Sequence, residues 1–233
     1  MKNNTQHRTI LRSWFRFRAL LILLVAAVGL SAGTVAMSGH SPVPGHSNAF
    51  GQSLGDWLVT YQRWVYEESP LPTDRYGNTV VGNVVLLPIP STDGQGEPGI
   101  QDVTLTSGEA FVLPFFGAIG WEYPDGSLDP LVPLSLFETL EITVTVDGVV
   151  VINEENVMDY YAYGEFDPPI PWPVAPQYLF VFLQSVGMAH PPLSVGEHVV
   201  TLDVQNTEAF PPEYGGGLSE YHNTWYITVK PGK

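Results

Sequence analysis

The chain contains no cysteine. That excludes disulfides, zinc–thiolate centres, thiol nucleophiles and a lipidated N-terminal cysteine. Bases are nearly as scarce beyond the N-terminal segment. After residue 36 stand all 24 acids and only Arg63, Arg75, Lys230 and Lys233, a balance of −20. Nucleic acid and anionic membrane surfaces are therefore excluded as partners, since both need Lys and Arg against phosphate. Also missing are the G-x-S-x-G elbow, the HExxH zinc pattern, a P-loop and a Rossmann fingerprint. The acidic balance leaves room for divalent cations, basic partners and neutral ligands such as glycans. Its plainest role is solubility.

The scarce bases are concentrated at the start. Lys2, Arg8, Arg12, Arg16 and Arg18 precede the uncharged run Ala19 to Leu30, and small residues follow as SAGTVAM. Basic, apolar, small is the order of a secretory signal. Small residues at Thr34 and Ala36 predict cleavage after Ala36 and a secreted, periplasmic or cell-surface product. The alternative is an uncleaved anchor over Ala19 to Met37, a length close to the ~20 residues that span a bilayer. Residues 37–49, MSGHSPVPGHSNA, are small, polar and Pro/Gly-rich, and predict a flexible linker. The remaining residues, 50–233, suffice for a single domain with a real hydrophobic core, which a disulfide-free exported chain requires.

Most of that domain has a period of two. Ile142, Val144 and Val146 alternate with Thr143, Thr145 and Asp147. Asp147-Gly148 then supplies a hairpin turn whose central residues need positive φ. Val200, Leu202 and Val204, and then Trp225, Ile227 and Val229, repeat the alternation. These strands have one apolar face and predict antiparallel sheet covered on one side. TVVGNVVLLPI, DVTLTSGEAFVLPFF and QYLFVFLQSV are continuously apolar and predict central strands. Short strands between Pro/Gly turns predict an all-β, antiparallel, jelly-roll-like sandwich.

The segment PLSVGEHVVTLDV and the closing TWYITVK resemble the last strands of exported bacterial immunoglobulin-like sandwiches. More broadly, the chain resembles a group of exported bacterial proteins with a signal, a Trp-rich helix, a DG hairpin and this closing pair. The resemblance implies a sandwich and export. It brings no activity, so no catalytic residue is carried over. It also gives His198, at a strand start, a structural role.

One stretch departs from the strand pattern. In GQSLGDWLVTYQRWVYEES, Leu54, Trp57, Leu58, Tyr61, Trp64 and Val65 fall on one helical arc, which predicts a helix over about 54–68. Ser53 and Asp56 fit a capping box, and Ser69-Pro70 is a stop. The outer face is acidic, unlike a membrane-surface helix. The aromatic stripe therefore predicts a core-closing helix laid on the sheet. Arg63 has two readings, a surface pair with Glu67 or a clamp on a carboxylate from another element.

The most site-like stretch is residues 153–173. Tyr160, Tyr161, Tyr163 and Trp172 interleave with Glu165 and Asp167, and ring faces beside carboxylates suit a glycan or another ligand. Aromatics in such a Pro-rich segment are also ordinary packing. Glu154 with Glu165, or Glu122 with Asp125, would be candidate glycosidase pairs, but no spacing motif supports them. His190, His198 and His222 are scattered. No motif implies a cofactor. Calcium is the cation best suited to the turns at Asp93–Gly99 and Tyr123–Pro130, although neither has EF-hand spacing. The leading expectation is an exported, acidic, non-catalytic binding or structural module with a glycan or protein ligand. The alternatives are a carbohydrate-active or other hydrolase, and a surface or matrix assembly subunit joined through edge strands.

Overall fold

The computed structural model describes residues 41–67, 71–90, 98–206, 211 and 220–232. The expected signal at 1–36, the Ser69-Pro70 stop and most of the Asp93 turn lie outside them. The elements in chain order are β1 (Asn48–Ala49), β2 (Gln52–Ser53), α1 (Leu54–Tyr66), β3 (Val80–Val81), β4 (Val84–Leu86), β5 (Gly99–Thr106) and β6 (Ala110–Glu122). They continue with α2 (Leu134–Phe137), β7 (Leu140–Val146), β8 (Val149–Ile152), a 3₁₀ turn (Val157–Tyr160), β9 (Tyr161–Trp172), β10 (Ala175–His190), β11 (Gly196–Asn206) and β12 (Glu220–Lys230).

The fold is an all-β sandwich of two five-stranded sheets, β3-β4-β6-β10-β9 and β5-β12-β11-β7-β8. Most neighbours are antiparallel, but β4 runs parallel to β6 and β5 parallel to β12. The second sheet follows the period-two rule. Trp225, Ile227, Val229, Val200, Leu202, Val204, Ile142 and Val144 turn inward, while Thr224, Tyr226 and Thr228 turn outward. Asp147 and Gly148 both have positive φ, 53° and 77°, as the β7–β8 turn requires.

The central strands of the first sheet are buried on both faces over 110–115 and 182–190, which accounts for their continuously apolar sequence. Phe111, Leu113, Val186 and Met188 face the second sheet. Ala110, Val112, Leu183 and Ala189 face α1. Every residue from Phe182 to His190 is buried. Among the three apolar segments, β6 and β10 are central. DVTLT instead forms β5, an edge strand of the second sheet, and TVVGNVVLL forms the short β3–β4 hairpin at one edge of the first.

Helix α1 starts as its sequence predicts. Ser53 Oγ accepts from Asp56 N at 3.1 Å, and Asp56 Oδ2 accepts from Ser53 N at 3.3 Å. The helix ends at Tyr66, where Glu67 becomes extended. Its buried face is rotated from the expected arc. Gly55 and Val59 are buried, while Val65 is 53% exposed. The cause is a glycine contact. A Cβ at Gly55 would strike the Tyr163 carbonyl oxygen, and one at Gly164 would lie 2.6 Å from Val59 and 2.8 Å from the Gly55 oxygen. At Gly187 it would lie 2.7 Å from Leu58. Helix and sheet backbones therefore touch where neither carries a side chain. Tyr61 anchors the other end, donating to the Leu87 carbonyl at 2.6 Å, and Trp57 Nε1 donates to Ala49 O at 2.7 Å.

The expected linker at 37–49 is part of the fold over 41–49. Val43 bridges Ala189, with Val43 N donating to Ala189 O at 2.9 Å, and Gly45 N donates to Asp159 O at 2.7 Å. Ala49 is buried under Trp57. Small residues and prolines here allow the chain to run close over the sheet rather than swing free.

Gly55→Ala is expected to destabilise the protein by about 3 kcal/mol, because backbone must shift to admit the methyl group. Thr60→Ala, on the outer side of the helix, should change stability by less than ~0.5 kcal/mol. Urea unfolding of both variants checks this, and equal midpoints would refute the contact.

Candidate functional site

Residues 153–173 do not form one surface. Asn153 and Asn156 close a turn, with Asn153 N donating to Asn156 Oδ1 at 2.8 Å. Glu154 and Glu155 stand exposed on it. The 3₁₀ turn then buries Tyr160, and burial, helped by the Asp159 charge, raises its phenol pKa. From Tyr161 onward the chain is β9, where alternation separates neighbours.

The six candidate residues fall into three environments. Tyr160 and Tyr161 belong to the interior. The Tyr161 ring lies 5.2 Å from Phe137, and its hydroxyl accepts from Gln184 Nε2 at 2.9 Å. Gln184 is itself buried and also holds the Val132 backbone, accepting from N at 2.7 Å and donating to O at 2.9 Å. Tyr163 and Glu165 share the outward side of β9. The Tyr163 hydroxyl donates to Glu165 Oε1 at 3.0 Å, and its ring stacks on Phe182 at 6.0 Å. Desolvation first, and Glu165 second, raise the Tyr163 pKa. Asp167 is exposed before Pro168. Trp172 belongs to a third group that the six-residue reading does not contain.

That third group is an aromatic corner at the far end of the first sheet, on its α1 side. Trp121 stands one residue before the end of β6, and its cross-strand neighbour on β10 is Phe180. Trp172 and Tyr178 flank the β9–β10 turn. Ring centroids lie 4.9 Å apart for Trp121–Trp172 and Trp121–Phe180, 6.1 Å for Trp121–Tyr178 and 6.4 Å for Trp172–Tyr178. All four pairs are edge-to-face, the favoured arrangement for aromatic quadrupoles. Tyr123 extends the group, 5.8 Å from Tyr178. Trp121, Trp172 and Tyr178 are half-buried and Tyr123 is exposed. A register shift between Phe180 and Phe182 brings Phe180 and Leu183 onto the same side. The sequence carried a signal for this corner. Trp172 and Tyr178 bracket a short segment containing Pro173 and Pro176, and rings at both ends of a hairpin turn meet across it.

Carboxylates stand at the margin of the corner. Asp129 accepts from the Tyr123 hydroxyl at 2.8 Å and from Trp121 N at 3.2 Å. That bond is the main reason the Tyr123 phenol pKa is raised. Asp125 accepts from Ser127 Oγ at 2.6 Å and from Ser127 N at 3.0 Å. These bonds hold its carboxyl below the ordinary range. Asp125 and Asp129 are thus engaged in local turn bonds within the stretch singled out for calcium. Among the described residues, no group of three or more His, Asp and Glu could hold a metal ion.

Arg63 joins α1 to β9. It pairs with Glu67 at 2.6 Å, donates to the Pro168 carbonyl, and lies 5.8 Å over the Phe166 ring. The expected i,i+4 pair with Glu67 is present, and the expected clamp on a carboxylate of another element is not: Arg63 reaches a carbonyl and a ring of β9 instead. Arg75 and Lys230 are engaged elsewhere, 4.7 and 5.3 Å from the Tyr76 ring, with Arg75 also donating to Pro231 O at 3.1 Å.

One arrangement imitates a catalytic triad. His198 Nδ1 meets Asp147 Oδ2 at 2.7 Å, and Ser194 Oγ lies 3.4 Å from His198 Nε2. Yet Nε2 faces the Ser194 carbonyl at 2.8 Å. The carbonyl is thus closer to Nε2 than the serine hydroxyl is, 2.8 against 3.4 Å. Asp147 also accepts from Val199 N at 2.9 Å, so the constellation fastens the β7–β8 turn to β11. His190 is buried, stacked on Phe111 at 4.9 Å. His222 lies on the outer face of the second sheet, 2.6 Å from Asp203 and 3.7 Å from Glu220.

No family model and no curated protein matches this chain. Among solved structures, CopC from Methylosinus trichosporium OB3b is similar to part of it, at 13% identity over 57% of this chain and 89% of that one. The TM-score is 0.23, too low to support any inference about function.

Arg63→Ala should cost about 1–2 kcal/mol, since it removes a charged hydrogen bond and a cation–π contact. Glu67→Ala should cost only a few tenths, roughly the value of a helix i,i+4 pair. Unchanged thermal stability in the arginine variant would remove the clamp. At His222, the bond to Asp203 raises the pKa above its ordinary 6.5. The associated stabilisation is complete below about pH 6.5 and is lost as pH rises through the raised value. Asp203→Asn should return the His222 NMR titration midpoint toward 6.5 and flatten that dependence.

Proposed function

We propose that the chain is an exported, non-catalytic binding module that holds a glycan on the corner formed by Trp121, Tyr123, Trp172 and Tyr178. The observation that carries this reading is a contiguous set of rings left partly open to solvent at one end of the first sheet, beyond the stretches of β6 and β10 that are buried on both faces. Exposed ring faces accept the CH side of a pyranose, while phenols and carboxylates accept its hydroxyls. The edge-to-face packing also holds each ring against its neighbour. Binding therefore costs little further ordering of side chains.

Chemistry at the same place is disfavoured. A glycosidase needs one carboxyl with a raised pKa to act as acid. Asp125, one member of the candidate pair with Glu122, is shifted the other way by Ser127. The Asp147–His198–Ser194 group has its histidine occupied by a carbonyl. Assembly through the outer edge of β9 is opposed by Pro168, Pro169 and Pro171, which carry no N–H for a further strand. Export rests on the basic, apolar and small-residue order of residues 1–36. No helix among the described residues is long and apolar enough to cross a membrane.

Tryptophan fluorescence titration with soluble β-1,4-glucan oligosaccharides tests the site. Trp172→Ala and Tyr178→Ala should each weaken binding about tenfold, the equivalent of ~1.4 kcal/mol. Tyr163→Ala, on the opposite side of β9, should leave the affinity unchanged. Loss of binding in that variant alone would move the ligand to the Tyr163–Glu165 side. N-terminal sequencing of the exported product checks the processing site, with Met37 expected first.

A further inference from the structure

Resting on the glycan reading above, we infer that the aromatic corner selects by charge: it accepts neutral or amine-bearing chains and rejects uronic or sulfated ones. Two independent observations support this. The margin of the corner is acidic, with Asp125 and Asp129 on the turn that follows Trp121 and Tyr123. Asp129 is fixed by two bonds and Asp125 by two from Ser127, so these charges are held in place beside the rings.

The second observation concerns cations. An acidic glycan needs Arg or Lys to offset the cost of bringing its carboxylates or sulfates to a protein surface. The described residues contain three such side chains, and each is engaged elsewhere. Arg63 is bound to Glu67, the Pro168 carbonyl and the face of Phe166. Arg75 and Lys230 share the Tyr76 ring. To serve an anion at the corner, Arg63 would have to give up all three contacts. The −20 balance of the chain beyond residue 36 adds a long-range field of the same sign as the margin. A neutral chain meets neither penalty, and its hydroxyls are donors suited to carboxylate oxygens. An amine at C2 adds attraction.

Three hexasaccharides with one β-1,4 backbone separate the terms: cellohexaose (neutral), its fully C2-amino analogue (cationic) and its C6-carboxylate analogue (anionic). In titrations at low ionic strength, the neutral and cationic chains should bind. The cationic chain should be a few-fold tighter than the neutral one, and the anionic chain at least tenfold weaker. The spread should narrow in 0.5 M salt, where exposed charges are screened. In the Asp125→Asn/Asp129→Asn variant the ratio of neutral to anionic affinity should fall at least threefold. If the anionic chain binds as well as the neutral one at low salt, the charge filter is refuted and the aromatic site stands. If no chain binds, the site itself is refuted and the filter with it.

Discussion

Helix α1 lies against β9 with no side chain between them at Gly55 and Gly164. Everything on the helix side of the first sheet depends on that close approach. It sets the rotation of α1, which buries Trp57, Leu58, Val59 and Tyr61 together. It also brings Arg63 within reach of the Pro168 carbonyl and Phe166. Covering the sheet in this way makes its central strands apolar on both faces. The second sheet, with one face in water, keeps its strict alternation.

The fold was largely legible because burial and periodicity are the same physical fact seen twice. Ile142, Val144, Trp225 and Ile227 announced their inward face, and Asp147-Gly148 announced the turn. The capping box at Ser53 and Asp56 fixed the start of α1 to the residue. The rotation of α1 was not legible. Glycine has no place in an apolar arc, yet Gly55 decides which side faces the sheet. The segment 41–49 was misleading for a related reason. Small residues and prolines signal freedom in sequence, but they are also what lets a chain run close over a packed sheet.

The candidate site was legible only in part. Composition identified residues 153–173 as rich in rings and carboxylates, but Tyr161, Tyr163 and Glu165 share one face of β9 whose cover ends after Tyr161, and Trp172 lies on the other face. Tyr161 turns to Phe137 and Gln184, Tyr163 to Phe182 and Glu165, and Trp172 to Trp121. The corner draws on residues about fifty positions apart because β6 and β10 are paired. A linear reading has no access to that pairing. Arg63 belongs to the same lesson. Its helix neighbour Glu67 was visible at i,i+4, whereas its contact with Pro168 arises from tertiary packing.

The order in which partners are joined has a consequence for how the chain is made. Helix α1 spans Leu54–Tyr66, but the surfaces that bury it come from β6, β9 and β10, the last ending at His190. Strand β5, from Gly99, waits for β12, which begins at Glu220. The N-terminal half therefore has few partners of its own, and its final structure assembles late in synthesis. Until β9 and β10 emerge, only part of the surface that buries the aromatic face of α1 is present.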